Sequence, residues 1–177
     1  MSIHIEPYEG RNALSVKDDI HYIIDNYSGP GLFTDDTGRP MIFVYDSYHT
    51  PSHEWATVFS PTGSHSIRHT PYDVTAIGLY LEQKDRAFFT QGHWDGLYTY
   101  FGATGFTQGS TLGHWPGLAA FAKDNNLLFV PSVAPGYEDT RIRPWNKVNS
   151  RSREVRRVGL GERREEVTRE GVEWRVL

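Results

Sequence analysis

Five short apolar runs, each closing in polar or aromatic residues and four of them leading into a helical pattern, constrain this chain more than any other feature. SIHIEPY precedes SVKDDIHYIIDNY, where Ile20, Ile23, Ile24 and Tyr27 recur at helical spacing behind Ser15 as the expected N-cap. PMIFVYDSY precedes PSHEWATVF, with Pro51 near the helix start and Trp55, Val58 and Phe59 facing inward. DVTAIGLYLE leads to QKDRAFFTQ, GLYTYF leads to HWPGLAAFAKDNN, and LLFVPSVAPGY is the fifth strand. Strands that return through helices lie parallel, so the alternation predicts a parallel sheet. MIFV and LLFV lack polar alternation, as expected of strands covered on both faces. No run is followed by a Gly-rich phosphate loop, which sets aside the nucleotide-binding versions of this architecture.

The expected fold is therefore α/β: an incomplete (β/α)8 TIM-barrel segment of about five βα units. Its 177 residues fall short of the roughly 250 of a complete barrel. Barrel chemistry gathers at the C-terminal ends of the strands. Here those ends are Glu6-Pro7-Tyr8, Tyr45-Asp46-Ser47-Tyr48, Glu82, Tyr98-Thr99-Tyr100 and Pro135-Gly136-Tyr137. Period-2 alternation places Tyr45 and Ser47 on one side and Asp46 and Tyr48 on the other; Tyr98 and Tyr100 share a side, with one of them in the core. Aromatic residues make up 14% of the chain, a surplus of flat amphipathic rings suited to stacking on sugars or other polar ligands, although a core can absorb most of it.

Charge divides the chain. The formal net charge is −4, yet residues 151–177 hold eight Arg against six Glu, so the body is acidic and the end basic. That sign disfavours a nucleic-acid partner. The expected organisation is a partial barrel over 1–149 and a charged Arg/Glu-rich tail over 150–177, disordered or weakly helical. Cysteine is absent, which excludes disulfides and thiolate metal sites. No apolar run approaches the roughly 18 to 20 residues of a membrane span, and the first ten residues lack the pattern of a signal peptide.

The strand ends also carry a resemblance. HIEPY, VYDSY, GSHSIRHTPYD, DGLYTYF, GFTQGS and FVPSVAPGYEDTRIRPWN, in that order, resemble the glycoprotein endo-α-1,2-mannosidases, glycoside hydrolase family 99, from about Ile3 to Asn149. The resemblance implies a retaining, endo-acting glycoside hydrolase on a (β/α)8 barrel with no metal or other cofactor. Its implied partner is a mannose-containing glycan of glycoproteins, and its implied location the Golgi. The site residues it implies are substrate-binding: Glu6 against the hydroxyls of the bound mannose, Tyr137 near the scissile region, and Tyr8, Tyr45, Asp46, Tyr48, Tyr98, Tyr100, Arg143 and Trp145 along the cleft. The family's catalytic carboxylates lie in a Glu-Trp-His-Glu-Gly segment on a last strand, and these 177 residues contain no such segment. The chain is accordingly expected to be the middle of a barrel, truncated before that strand and inactive as it stands. The alternative is a non-catalytic glycan-binding or unstable remnant of such an enzyme.

Other patterns carry less. His53-Glu54 opens like a zinc-protease signature, but Thr57 stands where the second histidine belongs. His49 and His53 are interrupted by Pro51, and turn residues surround His65 and His69, so these read as exposed loop histidines.

Overall fold

The computed structural model describes residues 2–27, 29, 31–100, 105–133, 136, 137, 140–145, 149 and 150. The tail expected beyond Ser150 lies outside the described residues.

Strands β1 (Ile3–Ile5), β2 (Met41–Val44), β3 (Thr75–Tyr80), β4 (Gly96–Thr99) and β5 (Leu128–Val130) form one sheet in the order β1-β2-β3-β4-β5, and every adjacent pair is parallel. Helices α1 (Ala13–Tyr27), α2 (Ser52–Phe59), α3 (Arg86–Gln91) and α4 (Trp115–Asp124) lie between successive strands. A short antiparallel pair, β6 (Gly136–Tyr137) and β7 (Asn149–Ser150), stands apart. The spatial order follows the chain order and never reverses. A doubly wound sheet reverses at its switch point and carries helices on both faces; a sheet that never reverses carries them all on one, as a barrel does.

Side-chain alternation confirms that division. Ile42, Val44, Ala76, Tyr80 and Leu97 pack under Val16, Ile20, Trp55, Val58, Phe59, Phe89, Trp115 and Leu118 of the helices. Met41, Phe43, Ile77, Leu79 and Tyr98 form a separate cluster on the opposite, concave face, joined by Tyr45, Tyr100 and Val130. MIFV is buried throughout, as its apolar run predicts. LLFV is not: Leu128 is exposed and Phe129 and Val130 are half-buried, because β5 has a single described neighbour.

Two further local readings change. Ser15 does not cap α1, since Asn12 Oδ1 accepts from the backbone N–H groups of Leu14 and Ser15 at 2.9 and 3.0 Å and starts the helix three residues earlier. Tyr27 does not join the buried face with Ile20; at the last turn of α1 it is half-exposed and packs edge-on against Tyr22. Pro51, Trp55, Val58 and Phe59 take their expected places in α2.

The N-terminal ends of the strands are tied by charge. Arg68, with its side chain only 7% exposed, donates to Asp73 Oδ1 at 3.0 Å, to Asp95 Oδ2 at 2.8 Å and to the carbonyls of Phe59, Val74 and His93. Asp95 also accepts the Ala76 N–H, and Arg39 links Asp35, Asp73 and Asp95. This clamp spans the segments entering β2, β3 and β4 and leaves the opposite strand ends free for a site.

Candidate functional site

At the C-terminal ends of the strands, His4 and Glu6 stand two residues apart on one side of the chain. His4 Nδ1 lies 2.9 Å from Glu6 Oε1, and His4 Nε2 lies 3.0 Å from the Tyr98 hydroxyl of β4. A carboxylate only accepts, so Nδ1 carries the proton, and Nε2 pairs with the Tyr98 hydroxyl. The result is a hydrogen-bonded chain that joins Tyr98, His4 and Glu6. Glu6 remains 65% exposed and keeps acceptor capacity for a ligand hydroxyl.

The phenols around this chain stay protonated. Burial pushes the Tyr98 hydroxyl well above its ordinary range, and Tyr45, Glu6 and Asp46 add to the effect. Tyr45 is likewise raised, first by burial and then by its hydrogen bond with Tyr100. Both therefore serve as hydrogen-bond partners rather than as bases.

Tyr45 reaches the concave face, where its ring meets His4 edge-on at 5.6 Å and Tyr100 at 6.2 Å. Ser47 does not share that side, contrary to alternation. Asp46 adopts φ 48° and ψ 39°, the strand ends, and a 3₁₀ turn carries Ser47 beneath the sheet. There Ser47 Oγ accepts from the Leu79 N–H and its carbonyl accepts from Trp55 Nε1. The turn is fixed by Arg11, whose guanidinium donates to the carbonyls of Tyr45 and Asp46 at 2.6 and 2.7 Å. Asp46 in turn accepts from the Tyr48 hydroxyl at 3.0 Å.

The remaining candidates are spread more widely. Tyr98 is in the core of the concave face and Tyr100 at its edge, the division that their shared side implies. Tyr8 turns to α1, donating to Asp19 Oδ2 at 2.6 Å and lying 2.8 Å from Ser15 Oγ. Arg143 and Trp145 are exposed in the segment that follows β6. Tyr137 is described through the backbone pairing of β6 with β7. His4 and Arg11 were missed from the sequence. The period-2 spacing of His4 with Glu6 was available as a signal, whereas nothing marks Arg11 as the residue that holds the end of a strand 34 positions away.

Among the described residues, no group of three or more His, Cys, Asp or Glu side chains gathers in a way that could hold a metal ion. No described helix is long and apolar enough to cross a membrane.

A barrel segment with carboxylate, imidazole and phenol groups around its concave mouth belongs to the class of (β/α) proteins that build their sites at the C-terminal ends of the strands. The particular family follows from comparison: the chain belongs to glycosyl hydrolase family 99, whose model matches residues 1–159. It is 47% identical over 158 residues to a glycoprotein endo-alpha-1,2-mannosidase-like protein of Danio rerio, covering 86% of this chain and 36% of that protein. It is also 47% identical to the glycoprotein endo-alpha-1,2-mannosidase of Xenopus laevis, again over 86% of this chain and 35% of that protein. The solved structure of the family 99 endo-alpha-mannosidase from Bacteroides thetaiotaomicron superposes with a TM-score of 0.80 at 46% identity, covering 86% of this chain and 45% of that one. The chain thus spans about a third of the length of the curated relatives it matches, and its five parallel strands are part of a TIM barrel.

Proposed function

We propose that the described strand ends are the sugar-holding wall of an endo-acting glycoside hydrolase, and that the ligand is an α-1,2-linked mannoside such as occurs on glycoprotein N-glycans. The observation that carries the reading is the Tyr98–His4–Glu6 chain, which fixes the orientation of an exposed carboxylate at the mouth of a family 99 barrel segment. A ring of hydroxyls needs acceptors and donors held in place, together with a flat apolar face, and Glu6, Tyr45 and Tyr98 supply these. Processing of N-glycans in the Golgi, with release of glucosylated mannose and retention of configuration, is the role we assign to the whole enzyme.

Glycoside hydrolysis requires two carboxyl groups flanking the scissile bond. The pair implied by the family resemblance belongs to a Glu-Trp-His-Glu-Gly segment that is not among these 177 residues. This favours a second reading for the chain as it stands, namely binding without turnover. We place the boundary of the barrel portion at residue 149 and treat the Arg/Glu-rich remainder as a tail outside the site. Tyr8, Tyr48, Tyr137, Arg143 and Trp145 are retained as outer contacts of the glycan.

Calorimetric titration of the chain with α-1,2-mannobiose tests the wall. Binding is expected, weakened about fivefold to tenfold by Glu6→Gln or Tyr98→Phe through loss of one hydrogen bond of about 1 kcal/mol. Binding untouched by either substitution, or no binding at all, overturns the assignment.

A further inference from the structure

Asn26-Tyr27-Ser28 is the only place in the 177 residues where Asn is followed two positions later by Ser or Thr with a residue other than Pro between them. That is the acceptor pattern of N-linked glycosylation. A pattern so short also arises by chance, so the surroundings of Asn26 decide what it means.

Asn26 is exposed in the last turn of α1. This helix follows the end of β1 beside Glu6 and precedes β2. At about 1.5 Å per residue its 15 residues carry the chain roughly 20 Å along the helix axis. Tyr72, in the segment entering β3, donates to Asp25 Oδ1 at 3.1 Å and marks where α1 ends. Asn26 therefore lies at the end of the strands that Arg68 closes, and a bulky group on it leaves the concave mouth open.

The side chains beside it suit an attached sugar. Tyr22, one turn back on the same helix face, is 60% exposed and Tyr27 is 52% exposed, with their rings edge-on at 6.1 Å. Neither ring joins the buried face of α1, which is made by Ala13, Val16 and Ile20. A flat ring next to the attachment atom matches the apolar C–H face of a pyranose. Asn26 Nδ2 donates to the Tyr22 carbonyl at 2.8 Å. The amide nitrogen carries two hydrogens, so a sugar can replace one while the other keeps this bond and holds the substituent at the Tyr22 turn.

We propose that Asn26 is an N-glycosylation site whose innermost N-acetylhexosamine rests on the Tyr22 ring, a proposal that depends on the Golgi reading above because such acceptors belong to proteins of the secretory route. The donor is an oligosaccharide carried on a lipid diphosphate. Its anomeric C–O bond breaks, a C–N bond to Asn26 Nδ2 forms, the lipid diphosphate leaves with the electron pair, and Nδ2 gives up one proton.

The test is mass spectrometry of the protein purified from cells that make it, after enzymatic release of N-glycans in heavy-oxygen water, with cell fractionation in parallel. Asn26 is expected to be recovered as heavy-oxygen-labelled Asp, and Asn26→Gln or Ser28→Ala should abolish the label. The glycosylated parent should unfold about 2–4 °C above Ser28→Ala, and the same comparison in a Tyr22→Ala background should show no difference. A difference that persists without the Tyr22 ring overturns the stacking contact. Protein recovered from Golgi membranes with Asn26 unlabelled overturns the site and leaves the Golgi reading standing. Protein recovered from the cytosol and unlabelled removes both.

Discussion

His4 on β1 and Tyr98 on β4 are hydrogen-bonded at 3.0 Å across the two strands that separate them. On a flat sheet three strand spacings are about 14 Å, and side chains standing perpendicular to it would not meet. The contact therefore measures the curl of the sheet as much as it builds the site. Tyr98→Phe is expected to cost about 1 kcal/mol of unfolding free energy. Glu6→Gln is expected to act on the ring instead. The ¹⁵N shifts of His4 should report one dominant tautomer, protonated at Nδ1, in the parent chain and a mixture in the variant. An unchanged tautomer ratio would mean that Glu6 does not orient the imidazole.

At the opposite ends of the strands, Arg68 presents its fork to two carboxylates and three carbonyls while almost wholly buried. Arg68→Ala would leave Asp95 and Asp73 without their closest cation, and the expected loss is about 3 kcal/mol or more in chemical denaturation. Arg68→Lys should recover little of it, since a point charge cannot address five acceptors at once. Full stability in the Lys variant would show that charge alone, not the planar fork, closes this end.

Asp35 gives the clamp a pH dependence. Burial would raise its carboxyl, but hydrogen bonds from the hydroxyls of Thr75 and Thr37 and from the backbone N–H groups of Arg39 and Thr37 outweigh that and hold it well below the ordinary carboxylate range. A carboxyl lowered in the folded state stabilises the fold above its unfolded pKa, about 3.9, and that contribution is lost as the pH falls through the lower folded value. The parent chain should thus lose stability steadily below about pH 4. Asp35→Asn should be less stable at pH 7, with a flatter profile in that acid range. Parallel acid profiles for the two proteins would exclude Asp35 as a contributor.

The sheet and the helices were legible because each rests on a local pattern. MIFV and TAIGLY announce strands through their apolar character, and Trp55, Val58 and Phe59 announce the buried face of α2 through spacing. The site was legible only in part. Alternation groups Tyr45 with Ser47 and Tyr98 with Tyr100 without saying which pair faces the cleft, and it fails after Tyr45 because a single left-handed residue, Asp46, ends the strand and sends Ser47 to the other side. GSHSIRHTPYD is among the stretches that resemble the mannosidases, yet Arg68 and Asp73 within it close the far end of the barrel segment. Distant pairings such as His4 with Tyr98, or Arg11 with the Tyr45 carbonyl, have no periodic signature, because they are created by the curl of the sheet.

Catalysis provides the sharpest prediction. Loss of one acid/base group typically costs on the order of 10²- to 10⁴-fold in rate. The Glu-Trp-His-Glu-Gly segment to which the family resemblance assigns the carboxylate pair is not among these 177 residues. Release of a glucosylated mannose from an N-glycan by the 177-residue chain is therefore expected to fall below detection, even where binding is measurable. A longer polypeptide that supplies the Glu-Trp-His-Glu-Gly strand to the same wall should cleave the glycan, with the anomeric configuration retained in the product by NMR. In that polypeptide Glu6→Gln and Tyr98→Phe should impair turnover, because a sugar held loosely at Glu6 no longer presents its linkage to the carboxylates. Turnover by the 177-residue chain itself would relocate the chemistry to carboxylates already present at the mouth, with Glu6, Asp46 and Glu82 the first to be replaced.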